Sequence, residues 1–292
     1  VLGVAVSGSY AYLAGDGLLV MDLTEPTKPK WVASFGAGTR TEDVAISGNH
    51  AFVAPEHGGL WIIDISDPAT PTLLGSFASV GLSRKVTLAG NYALLAGPGA
   101  GVEILDISDP TRPRHVGKFS DTTSTNLDGA SSISVQGRYA YVASADVDNG
   151  VEILDVSDSA NPQHVGAISD NATTELNGAY GITVHGRFAY VASYIDDGVE
   201  ILDVSDPANP VHAGAITDTA ATELDGARDI VVQGRYAYVA ADADDGVEVL
   251  DISNPLSPSH IGAITDDTTT ALDGAFRLTL RLRAAVLLAE SG

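Results

Sequence analysis

Apolar residues in this chain fall in short runs separated by turn residues. In SISVQGRYAYVAS (132–144) two such runs flank Q-G-R, and in GVEILDVSDSANPQHVGAI (150–168) two more flank S-D-S-A-N-P. The runs are rich in β-branched and aromatic residues and alternate in part between apolar and polar, the signature of strands bounded by tight turns. Four short strands are predicted here: SISVQ, RYAYVAS, GVEILDVS and HVGAI. Strands this short and this apolar cannot stand alone, so neighbouring units must cover each other's faces.

The unit recurs. GLWIIDISDPATPTLLGSF (59–77) returns as GVEILDISDPTRPRHVGKF (101–119), then at 150–168, 198–216 and 246–264, with a looser first copy at 17–35. The Asp that ends its apolar run falls at 22, 64, 106, 155, 203 and 251, a spacing of 42, 42, 49, 48 and 48. Four antiparallel strands per period of roughly 40–50 residues predict an all-β propeller. The expected layout is a single domain over 1–292, with blades near 3–36, 43–77, 85–119, 132–168, 181–216 and 229–264. A partial, two-stranded seventh is expected at 277–292.

At LLVMD (18–22), LWIID (60–64) and VEILD (102–106, 151–155, 199–203) the chain resembles the LVIVD-repeat family. The resemblance implies a propeller, commonly in secreted or surface proteins of bacteria or archaea, and brings no catalytic motif with it.

Internal repetition separates scaffold from site. The Asp of every repeat and the S-D-P turn after it read as turn chemistry. Four of the seven histidines, His115, His164, His212 and His260, share a slot that holds Trp31 and Leu73 in the first two repeats. That slot reads as packing rather than metal ligation. What varies is more informative. From the last strand of one blade to the first of the next, 35–44 and 77–86 span nine positions, whereas 119–133, 168–182, 216–230 and 264–278 span fourteen. The loop before the VEILD strand lengthens alongside, to SADVDNG (144–150), SYIDDG (193–198) and ADADDG (241–246). Both elaborations belong to one face of an antiparallel propeller, and loops on a rigid scaffold are where binding concentrates.

Two candidate sites lie on that face. Carboxylates and threonine hydroxyls are hard oxygen ligands, so Asp121, Asp128, Asp146, Asp148, Asp196, Asp197, Asp242 and Asp244 are candidates for Ca²⁺. The competing reading of the same loops is an Asn-Gly or Asp-Gly hairpin without a cation. The second candidate is the channel mouth, where the residues before each inner strand diverge. Glu42, Arg84, Tyr180 and Arg228 are the groups there that could clamp a carboxylate or work on a carbohydrate. A sequon at Asn171-Ala-Thr173 matters only if the producing cell glycosylates.

Charge narrows the field. With 38 acidic against 15 basic residues and a net charge of −23, binding to nucleic acid or to an anionic membrane is disfavoured. No apolar run approaches the roughly 20 residues that span a bilayer. The absence of Cys removes disulfides and thiolate chemistry. No HExxH, G-x-S-x-G or Walker spacing occurs. The chain begins at Val1, so any signal peptide lies outside it. The sequence therefore predicts a non-catalytic extracellular or cell-surface propeller that needs no cofactor. It binds a protein or glycan partner through the acidic face, with Ca²⁺ as an optional aid. A carbohydrate-active hydrolase or lyase at the channel mouth is the alternative. Self-association through the incomplete last blade is a further expectation, since an open strand edge invites pairing.

Overall fold

The computed structural model describes residues 2–79, 81–122, 125–146 and 148–265. Every regular element among them is a strand, and the strands follow the repeat. Blade 4 is the clearest: Ala130–Gln136, Tyr139–Ser144, Gly150–Asp155 and Gln163–Ser169 pair antiparallel in chain order. Blades 3, 5 and 6 are four-stranded sheets of the same kind. The break expected between the first two blades is absent. Tyr10–Asp22 runs as one strand through its hairpin, and Lys30–Ser47 runs as one strand from the outer edge of blade 1 into the inner strand of blade 2. Asp16 pairs with Arg40 across this junction, so the two blades form one six-stranded sheet. The expected partial seventh blade at 277–292, and self-association through it, lie outside the described residues.

First strands of successive blades pack on each other and so line the channel. Side chains bind them across the gap: Val86 N–H donates to Asp43 Oδ2 at 3.0 Å, and Thr183 Oγ1 to the Ile230 carbonyl at 2.6 Å. Between blades the core is continuous. Tyr141, Val151 and Ile153 of blade 4 share a cluster with Ile182, Val191 and Leu202 of blade 5. Outer strands come so close to the next blade's turn that a Cβ on Gly166 would lie 2.5 Å from the Pro207 carbonyl. The recurring Asp caps a turn, as its position predicted. Asp155 Oδ1 accepts from Ser157 N–H at 2.9 Å, and its other oxygen pairs with Arg138.

Each outer strand carries a bulge. In blade 4, Ile153 faces Gly166 while Leu154 faces His164, leaving Val165 as the extra residue. A bulge re-aims the side chains beside it. Here it accompanies the placing of His164 on Glu152, which the fold leaves with no solvent contact.

Candidate functional site

Long linkers and second-to-third-strand loops lie together on one face, as their co-variation predicted. The Ala145, Tyr194 and Asp242 N–H groups donate to the carbonyls of Gly129, Gly178 and Gly226, at 3.1, 2.8 and 3.0 Å.

Each long linker is a capped loop with one apolar anchor. In the third such loop described, Asp218 Oδ1 accepts from Thr222 Oγ1 at 3.0 Å and from Leu224 N–H at 3.2 Å, while Thr219 N–H donates to Thr222 Oγ1 at 2.7 Å. Asp121, Thr125 and Leu127 repeat the arrangement. Leu127, Leu176 and Leu224 have no solvent contact and sit in the cores between blades.

A buried glutamate holds each linker from below. Glu152, Glu200 and Glu248 are wholly buried; one carboxylate oxygen of each accepts from the linker N–H of Asn126, Glu175 or Glu223, at 3.2, 3.1 and 3.1 Å. The other oxygen meets the histidine of the shared slot: His212 at 2.7 Å, His260 at 2.6 Å, and His164 closer still. Burial pushes all three glutamates above the ordinary carboxylate range. The slot read as packing is thus a partner for a buried acid. One sequence signal exposes it. The residue twelve positions before the slot is Leu19 for Trp31, Trp61 for Leu73, and Glu in all four blades that carry His.

The candidate Ca²⁺ ligands divide by role. Asp148, Asp196 and Asp244 each accept a linker N–H, from Asp128, Asn177 and Asp225, at 2.7, 2.8 and 2.8 Å. Asp197, in left-handed backbone at φ 50°, accepts Gly226 N–H at 3.0 Å and so staples its blade to the next linker. Asn149 does the same to Gly178 at 2.9 Å. Asp121 caps its own loop, Asp128 supplies a backbone donor, and Asp146 and Asp242 turn to arginines. Among the described residues, no three acidic or histidine side chains gather into a ligand set.

These carboxylates set a pH response. Burial raises Asp148, Asp196 and Asp244, with neighbouring acids adding to it, and burial raises the three glutamates. An acid raised in the folded state binds its proton more tightly there, so stability rises as pH falls from neutral toward the ordinary value. The turn acids act oppositely. Ser108 hydrogen bonds, aided by Arg114, bring Asp106 to about 2, and Arg187 with Ser205 brings Asp203 to about 2, from 3.8. Their contribution is present above 3.8 and is lost as pH falls through about 2. Thermal melts from pH 7 to 2 are therefore expected to peak on the acid side, at roughly pH 4–5. A midpoint that falls steadily from neutrality would contradict this assignment.

The mouth gathers the other candidates. Arg84 Nη1 meets Asp146 Oδ2 at 3.0 Å and its guanidinium lies 5.9 Å from the Tyr180 ring centre. Tyr180 and Tyr194 meet edge to face at 5.7 Å; Arg228 lies against both rings, at 4.9 and 4.6 Å, and its Nε donates to Asp242 at 2.8 Å. Tyr194 occupies the loop position held by Asp146 and Asp242 in the flanking blades, and sequence reasoning passed over it. Glu42 pairs with Arg40 at 3.0 Å, and both line a cleft of about 160 Å³ with Glu56, Leu82 and Arg84. The basic residues expected to clamp a free carboxylate thus already have acidic partners, as does Lys85 with Asp43 at 3.5 Å.

Solved structures match the fold at low identity. A protein from Lactobacillus plantarum is 16% identical with a TM-score of 0.75, over 90% of this chain and 84% of that one. A candidate 6-phosphogluconolactonase from Bacteroides fragilis is 14% identical with a TM-score of 0.71, over 91% and 84%. A chain of a nidogen/laminin complex is 12% identical with a TM-score of 0.61, over 89% and 94%. At these identities the likeness is one of fold. No curated protein sequence matches the chain. The LVIVD repeat itself matches six times, at 1–36, 38–79, 80–121, 129–170, 178–218 and 226–266. With its repeats over nearly the whole described length and a blade built on each, the chain belongs to the LVIVD-repeat family.

Proposed function

We propose that the protein is a non-catalytic recognition propeller, acting outside the cell or at its surface, that binds an uncharged glycan at the channel mouth. One observation carries the reading: the mouth holds a preassembled aromatic cluster, Tyr180 and Tyr194 meeting edge to face at 5.7 Å with Arg228 against both rings and tied to a carboxylate. Aromatic faces stack on sugar rings, and paired arginine and carboxylate groups offer donors and acceptors to hydroxyls without a net charge. A net charge of −23 further disfavours polyanions. The adjoining cleft of about 160 Å³ is smaller than the roughly 300–1,000 Å³ that encloses a small substrate, which favours a shallow contact over turnover. No cation is needed, because the acidic loops are held by their own backbone donors.

The lactonase description of one fold neighbour supports a second reading, in which Arg84 and Arg228 would grip an anionic lactone. A neutral-glycan array probed with the wild type, with Tyr194→Ala and with Arg228→Ala separates the two. Binding that survives EDTA and drops at least about tenfold in both variants is expected. Absence of glycan binding, or binding unchanged in the variants, would overturn the proposal. Hydrolysis of 6-phosphogluconolactone that is lost in Arg84→Ala would establish the second reading instead.

A further inference from the structure

The cleft beside the channel mouth is small and balanced in charge: Arg40, Glu42, Glu56, Leu82 and Arg84 line about 160 Å³. Below the roughly 300–1,000 Å³ of a pocket for a whole ligand, such a space takes a substituent rather than a sugar ring. Arg84 belongs to both cleft and mouth. Its guanidinium lies 5.9 Å from the Tyr180 ring centre, so a substituent on a sugar held at Tyr180 lies next to the cleft.

Two residues of the cleft are not accounted for by the scaffold. Leu82 stands four positions before Val86, where the long linkers carry Gly129, Gly178 and Gly226 before Ile133, Ile182 and Ile230. Blade 2 carries Arg40 there. The Leu82 side chain is 43% exposed, so core packing does not explain a leucine at this position. Glu56 is the other. Among the described residues no ion pair engages its carboxylate, and its N–H donates to the Arg40 carbonyl at 2.9 Å, which fixes it at the cleft. Around these two, Arg40 pairs with Glu42 at 3.0 Å, and Arg84 gives Nη1 to Asp146 while keeping further N–H donors. Scaffold residues recur in every blade; an exposed apolar side chain and an unengaged acid that recur nowhere and share one space mark a site.

Resting on the reading of the mouth as a glycan site, we propose that this cleft receives an N-acetyl group, so that the glycan bound is built of 2-acetamido-2-deoxyhexose units. An acetamido group carries one carbonyl acceptor, one N–H donor and one methyl, and the cleft holds the complement of each. The guanidinium of Arg84 or Arg40 donates to the carbonyl, Glu56 accepts the N–H, and Leu82 covers the methyl. The hydroxyl of a plain hexose leaves Leu82 bare. A carboxylate would face Glu42 and Glu56, and an ammonium would face Arg40 and Arg84, so the balanced cleft favours a neutral dipole over either ion.

Calorimetric titration of the full chain with tetra-N-acetylchitotetraose and with cellotetraose compares one linkage with and without the acetamido group. The N-acetylated oligomer is expected to bind at least about tenfold tighter, the worth of one hydrogen bond to a charged group. Leu82→Ser and Glu56→Ala, both surface changes, are expected to remove that margin, whereas Tyr194→Ala weakens the binding of both oligomers. Equal affinity of the wild type for the two oligomers overturns the N-acetyl assignment and leaves a glycan site at the mouth standing. A margin that persists in both cleft variants overturns the cleft as its source. The deacetylated tetramer, binding as tightly as the acetylated one, overturns the assignment in favour of recognition by charge. Binding of neither neutral oligomer overturns the assignment together with the reading on which it rests.

Discussion

Leu176→Ala is expected to cost about 2–5 kcal/mol, the range for emptying a filled leucine site in a packed core. Its side chain has no solvent contact and touches two blades at once, packing among Tyr141, Val151 and Ile153 on one side and Ile182, Val191 and Leu202 on the other. The surroundings cannot collapse into the gap. The linker backbone is fixed by Asp170 Oδ1, which accepts Leu176 N–H at 3.2 Å, and by Glu200, which accepts Glu175 N–H at 3.1 Å. Leu127→Ala and Leu224→Ala fill the same role and should behave alike. Urea denaturation of the three variants measures the effect. A loss under about 1 kcal/mol in all three would mean that the linkers dock by their hydrogen bonds alone.

The second large effect concerns the buried glutamates, and the chain supplies its own control. Blade 1 carries Leu19 and Trp31 where blade 5 carries Glu200 and His212. His212→Trp alone removes the imidazole at 2.7 Å from a carboxylate with no solvent contact, at an expected cost of about 1–3 kcal/mol. Glu200→Leu combined with His212→Trp removes the buried charge, but it strands the Glu175 N–H that the carboxylate accepted. About 1–3 kcal/mol is therefore still lost. The same pair in blade 3, Glu103→Leu with His115→Trp, faces a nine-position linker. There the acid's other partner is the Ser79 hydroxyl, half-buried and able to turn to water. That double variant should be nearly neutral, since His115 is exposed and lies 3.7 Å from the acid, so little is lost with it. Equal losses in blades 3 and 5 would refute a linker-holding role for the glutamate.

The propeller was legible because its period is written six times, and strand limits followed from turn residues. Between blades 1 and 2 the strand runs on through the linker because Asp16 and Arg40 pair across it, and the residues of that linker look like any other. At the mouth, divergence between repeats singled out Arg84, Tyr180 and Arg228, which the fold brings together. What divergence could not show was that Asp146 and Asp242, read as metal ligands, would turn to those arginines. The acidic loops are ambiguous in sequence for a general reason. An Asp that caps a backbone N–H and an Asp that awaits a cation are the same letter, and only the path of the neighbouring linker tells them apart. The glutamate–histidine pair was visible, but only by reading two columns of the repeat together.

The staples from Asn149 to Gly178 and from Asp197 to Gly226 carry each blade's loop into the following linker. Blades 4, 5 and 6 are thus tied in sequence by core, by linker and by loop, whereas blades 1 and 2 share backbone pairing but lack long linkers. In a chain of units that contact only their neighbours, cooperativity is set by the strength of each junction. The molecule therefore has a graded unfolding order built into it. Its later blades are expected to open and close as one block and its first blades to exchange with solvent separately, a difference that amide hydrogen exchange measures blade by blade.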